Sequence, residues 1–95
     1  MIKPTIGRVV WYWPHSSLKH VSWNDKEQPL AAHVAYVHSN HVVNLLVIDQ
    51  NAVTHSICSV HLHQDGEDRP KEGFAEWMPY QKSVAKGETA PTLHA

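Results

Sequence analysis

The patterning of the chain predicts an all-β fold, a small and strongly bent barrel of about five strands with one short C-terminal helical turn. Three observations carry that reading. Short runs rich in Val, Ile, Tyr and Trp alternate with clusters of Asn, Asp, Gly, Pro and Ser. Two of those breaks, Ser39-Asn40 and Asp49-Gln50-Asn51, have the composition of tight turns between paired strands. Aromatic-proline clusters stand near both ends, Trp11-Tyr12-Trp13-Pro14 and Trp77-Met78-Pro79-Tyr80. They hold three of the four tryptophans and two of the three tyrosines, so they either close a barrel or line a site. Closure removes the unpaired edges that a small all-β domain would otherwise expose. An SH3-like barrel fits best, with an OB-like barrel as the alternative.

The first strand covers residues 6–13 and stops at Pro14. Alternation puts Arg8, Val10 and Tyr12 on one face, with Val9, Trp11 and Trp13 on the other. Residues 15–29 are polar and read as a long surface loop onto which Trp23 folds back. Residues 30–38 form a second strand, with Leu30, Ala32, Val34 and Tyr36 facing together. Residues 41–49 form a third, apolar on both faces. A central strand or an oligomer contact would account for that. The fourth strand, 53–63, alternates Cys58, Val60 and Leu62 against His55, Ile57, Ser59, His61 and His63. Residues 64–73 make a charged loop, and 74–77 a short fifth strand. Pro79 suits a first helical residue and Gly87 a stop, giving a turn or two over 79–86. One barrel domain over 1–87 and a flexible tail over 88–95 follow.

Composition narrows the function classes. The chain has 95 residues, a formal net charge of −1 and 42% apolar residues. A near-neutral balance argues against a non-specific nucleic-acid binder. One cysteine excludes an internal disulfide, and its place in an alternating apolar run predicts that Cys58 is buried and inert. The N-terminus carries no apolar leader, and no apolar run reaches the ~20 residues of a membrane span. The expectation is a cytosolic protein with no membrane partner. The small size, the doubly apolar third strand and the near-zero charge predict a homo-oligomer.

The runs Pro4-Thr5-Ile6-Gly7-Arg8-Val9-Val10-Trp11-Tyr12, Gln28-Pro29-Leu30-Ala31-Ala32, Val42-Val43-Asn44-Leu45 and Glu76-Trp77-Met78-Pro79-Tyr80-Gln81-Lys82 resemble, in that order, a set of small tailed-bacteriophage proteins. The resemblance implies a phage or prophage source and assigns no chemistry. Trp77, Pro79 and Gln81 after a strand are also similar to the end of a phage anti-Thoeris sponge family. Its members are small oligomers that sequester a cyclic ADP-ribose-type signal. Ser83-Val84-Ala85-Lys86 stand where that family has an acidic residue and a second tryptophan.

The chain has nine histidines. His55, His61 and His63 share a strand face by parity, with His33 on a neighbouring strand. His61-x-His63 has the spacing of a metal-ligand pair, but no carboxylate or thiolate partner is evident in the sequence, so no metal is assigned. A solvent-facing polar stripe is the simpler reading. A set that charges together near about pH 6 is a further one. A nucleophile needs a base and an orienting group. Cys58 points away from its neighbouring histidines, and Ser16 and Ser17 follow His15 without an orienter in sight. No catalytic residue and no cofactor are assigned, and an enzyme is not expected. Ligand binding remains. Arg8, Trp11, Trp13, Trp77, Tyr80, Gln81 and Lys82 are the candidate residues, the rings for stacking and the cations, with Arg69 as a further one, for phosphates. Trp11 and Trp77 are equally readable as core.

These readings converge on a phage-encoded oligomeric module that sequesters a nucleotide-type immune signal in the cytoplasm of the infected bacterial host. A virion-associated decoration or adaptor protein, or a direct protein inhibitor of a host enzyme, is the alternative.

Overall fold

The computed structural model describes residues 1–85. The expected helix stop at Gly87 and the tail over 88–95 lie outside the described residues. Five strands close into one barrel: β1 (Val9–Trp13), β2 (Leu30–Ser39), β3 (Val42–Ile48), β4 (Thr54–His63) and β5 (Phe74–Glu76). A single helix, α1 (Pro79–Ala85), follows. This is the small SH3-like all-β barrel the sequence predicts. Four of the pairings are antiparallel, and β5 closes the barrel by running antiparallel to β1 and parallel to β4.

The core is built by alternation. Val10 and Tyr12 of β1, Leu30, Ala32 and Val34 of β2, and Val43, Leu45 and Val47 of β3 point inward and are buried. Val60, Leu62, Ala75 and Trp77 complete it. The loop over residues 14–29 is not merely superficial, because Val21 is buried in this core and Leu18 and Trp23 pack on it. The first strand starts later than expected. Residues 5–8 form a turn instead, with Gly7 at φ +92°, and Gly7 N–H donates to Val34 O at 2.8 Å. Ile6 is left exposed.

Strict alternation fails where the strands bulge. Between Val43↔Val60 and Leu45↔Ile57, Cys58 and Ser59 together oppose Asn44. Ser59 adopts φ +55°, and its N–H donates to Asn44 Oδ1 at 2.8 Å. The extra residue inverts the parity of β4, so His55 and Ile57 turn inward before it and Val60 and Leu62 after it. Two of the sequence expectations are corrected here. Cys58 is exposed, not buried. His55 does not share a face with His61 and His63. β2 carries two further register shifts, one between Val34 and Tyr36, which leaves Tyr36 exposed. Bulges of this kind kink and twist strands, which is how a sheet this small bends shut.

Asp49 fastens the β3–β4 turn. Its Oδ1 accepts from Asn51 and Val53 N–H at 2.9 and 3.0 Å. Its Oδ2 lies 2.7 Å from His55 Nε2 and accepts from Ser22 N–H at 3.3 Å, tying the turn to the long loop. The His55 contact, helped by the backbone N–H donors and opposed by burial, lowers the Asp49 pKa to about 2. A carboxyl depressed by folding contributes stability above its ordinary value, and that contribution is lost as pH falls through the folded value. Thermal melts of wild type and Asp49→Asn should therefore differ most above about pH 4 and converge towards about pH 2. A gap that stays constant over that range would remove Asp49 as the source.

Candidate functional site

Parallel pairing of β4 with β5 forces the chain to return across the outside of the barrel. Residues 64–73 make that return, and they cover what would otherwise be the solvent face of β4, β5 and β1. The register sets His61 beside Phe74 and His63 beside Glu76, then Trp13 beside Phe74 and Trp11 beside Glu76. All of these side chains point away from the core. Yet Phe74 is 1% exposed, and Glu76 and His63 are each 7% exposed. The barrel therefore carries a second, external packing layer.

Arg69 of the crossover holds that layer down. Its Nε donates to Glu76 Oε1 at 3.2 Å and a terminal nitrogen to Oε2 at 3.0 Å, a two-pronged pair. The guanidinium carbon also lies 5.3 Å from the centre of Trp13 and 4.9 Å from that of Phe74. Trp13 Nε1–H donates to the same Glu76 Oε2 at 2.6 Å. Burial alone would raise the Glu76 pKa, but the bonds from Arg69 and Trp13 and the charges of Arg69 and Lys82 outweigh it, leaving the carboxyl below its ordinary value. A buried carboxylate with three directed donors fixes the rotamer of each donor.

Beside this cluster an open groove of about 520 Å³ runs between the long loop and the crossover. Trp13, Trp23 and Phe74 form its apolar walls, and Lys26, Arg69 and Lys71 bring cations to it. Trp13 and Trp23 meet edge to face, centres 6.3 Å apart at 73°. Trp23 is fixed by its Nε1–H bond to Gln28 O at 2.7 Å, and Lys26 Nζ sits 4.0 Å over its ring. Lys71 is exposed and forms no salt bridge among the described residues. Nothing in the sequence joined Trp23 and Lys71 to Trp13, although Arg69 was within reach as a phosphate contact. The available signal was a lone tryptophan in a polar loop and a cation run in another.

The seven sequence-predicted residues do not form one surface. Trp77 is 1% exposed and belongs to the core. Gln81 is occupied structurally: its Oε1 accepts from Met78 N–H and its Nε2 donates to Val9 O, each at 2.8 Å, which caps α1 and pins it to β1. Lys82 pairs with Asp65 at 3.4 Å. Arg8 and Tyr80 line a separate groove of about 360 Å³ between α1 and the N-terminal segment. Trp11 is half-buried on the outer face, and only Trp13 lines the aromatic groove.

The orienter that His15 lacks in the sequence is present in space. Ser17 Oγ lies 2.8 Å from His15 Nδ1, and His15 Nε2 is 3.4 Å from Glu72 Oε1. The same Nδ1 also accepts the Ser17 backbone N–H at 3.1 Å, and Glu72 accepts from Ser16 Oγ at 2.9 Å. These bonds brace an exposed loop against the crossover.

No family model, curated protein or solved structure matches this chain. No helix among the described residues is long and apolar enough to cross a membrane.

Glu76→Ala leaves the Trp13 indole N–H and the Arg69 guanidinium without their acceptor, and should cost about 1–3 kcal/mol in urea unfolding. Glu72→Ala breaks only exposed contacts and should cost clearly less. Equal effects would mean that the Glu76 cluster is no more than a surface ion pair.

Proposed function

We propose that the chain is a non-catalytic binding module whose ligand is a small aromatic anion of the nucleotide type, held in the groove between Trp13 and Arg69. The observation that supports this reading is one groove that combines two fixed tryptophans with three cationic side chains. Its volume of about 520 Å³ falls within the range of small-molecule sites. A purine stacks on an indole whose orientation is already set by a hydrogen bond, so little ordering entropy remains to be lost on binding. Arg69 shares its charge with Glu76, and Lys26 Nζ already donates to Trp23 O at 2.8 Å, which leaves Lys71 as the phosphate partner. Of the cations expected from the sequence, Arg69 lines this groove, and Arg8 and Lys82 stand elsewhere. The resemblance to tailed-phage proteins supplies a setting, in which a phage-encoded oligomer in the host cytoplasm binds an immune signal and keeps it from its receptor. Such a ligand is bound intact and released intact on denaturation.

Titration of tryptophan fluorescence with adenosine monophosphate and ADP-ribose tests the site. Stacking contributes roughly 1–3 kcal/mol per base, so Trp13→Ala and Trp23→Ala should each weaken binding by about tenfold or more. Lys71→Glu, which leaves the packing alone, should weaken it as well, whereas Tyr80→Ala should not. A saturable response lost in Tyr80→Ala and kept in the tryptophan variants would move the site to the groove beside α1. No response to either nucleotide would defeat the reading.

A further inference from the structure

The geometry points to a second site, for a divalent transition-metal ion, formed by His61, His63 and Glu67 on the outer face of β4. The three side chains offer ligand atoms that all lie within 4.8 Å of one another. His61 Nε2 is 3.2 Å and His63 Nδ1 3.5 Å from Glu67 Oε1. A four-coordinate ion with bonds of about 2.0–2.1 Å sets its ligands roughly 3.4 Å apart, so two of the three edges already have the length a tetrahedral site requires. The third edge, between the two imidazoles, lies within 4.8 Å.

The fold brings these residues together in three steps. The bulge at Ser59 resets the parity of β4, so that His61 and His63 both face outward. Gly66, at φ +93°, then turns the chain back on itself. Finally, Gln64 N–H donates to Glu67 Oε1 at 2.8 Å and aims the carboxylate at the two rings. His41 of the β2–β3 turn closes the far side, its ring stacked near that of His61 with centres 6.2 Å apart. His41 Nε2 lies 3.7 Å from Glu67 Oε2. It thus stands beside the second carboxylate oxygen while the first faces the two rings, the place that orienting groups outside a ligand set commonly take.

A further observation bears on the same place. His63 is 7% exposed, and its Nδ1 makes no hydrogen bond among the described residues, Glu67 Oε1 approaching only to 3.5 Å; Trp77 Nε1, in the core, is the other such atom. A buried imidazole nitrogen that makes no hydrogen bond is costly, and such groups are rare in native folds. That nitrogen is the atom that faces Glu67. A metal ion satisfies it and also balances a carboxylate with histidines around it. Two imidazoles and a carboxylate suit Zn²⁺, Co²⁺ or Ni²⁺ better than Ca²⁺ or Mg²⁺, which prefer oxygen ligands. Three protein ligands leave a fourth position for water.

Isothermal titration of the full chain, prepared without a histidine tag and freed of metal, with Zn²⁺ tests the site. One ion per chain should bind. His61→Ala and Glu67→Gln, both on the exposed side of the cluster, should each lower the affinity at least about tenfold without unfolding the barrel. His33→Ala, on the exposed face of β2, should leave it unchanged. Co²⁺ should give the visible absorption of a tetrahedral site in wild type and lose it in both cluster variants. Absence of saturable Zn²⁺ binding, or binding of undiminished strength in both cluster variants, would overturn the proposal.

Discussion

Glu76 is the constraint on which the outer half of this molecule depends. A carboxylate on the outer face of a short strand would ordinarily meet water. Here the chain must return over that face, because β5 runs parallel to β4 and cannot be reached by a hairpin. Burying the charge is tolerable only if it is fully bonded. Arg69 and Trp13 provide the bonds, one from the crossover and one from β1. A single carboxylate thereby ties the crossover to the already paired β1 and β5. The position of the crossover, the orientation of Trp13 and the burial of Phe74 follow from it.

Both proposed sites lie along this crossover. On one side, Glu67 leans back on the histidines of β4. On the other, Arg69 and Lys71 face the aromatic groove shared with the long loop. The division of labour is chemical. Soft and borderline donors gather where parity places two histidines outward, and flat rings with cations gather where two loops meet. The inner face has no share in either site, since its residues fill the barrel. Asp49 has the corresponding structural part at the opposite turn, where it fastens the long loop that carries Trp23.

The barrel was legible in the sequence because strand alternation and turn residues are local signals. β1, β2 and β3 show them plainly, and Val43, Leu45 and Val47 face inward as alternation requires. The errors share one cause. A bulge is invisible to a period-2 reading, and Ser59, a non-glycine residue at positive φ, gives no compositional warning. That one extra residue exposes Cys58 and separates His55 from His61 and His63. The candidate site was less legible. Trp13 could be identified as an outward aromatic, but its partners lie in loops whose paths are set by a parallel pairing that no local pattern announces. Gln81 and Lys82 looked available because their partners, Val9 O and Asp65, come from elsewhere in the fold. Glu67 was the exception within reach, since it follows His63 by four residues across a glycine turn.

Native-state hydrogen exchange on Glu76→Gln decides whether Glu76 clamps the crossover and the aromatic groove onto the barrel. The Gly73 amide, which donates to Trp13 O at 2.9 Å, and the Trp13 indole N–H should exchange markedly faster than in wild type. Amides of the β2–β3 pairing should keep their protection. Faster exchange spread evenly over the barrel, or unchanged exchange at Gly73 and Trp13, would contradict the account.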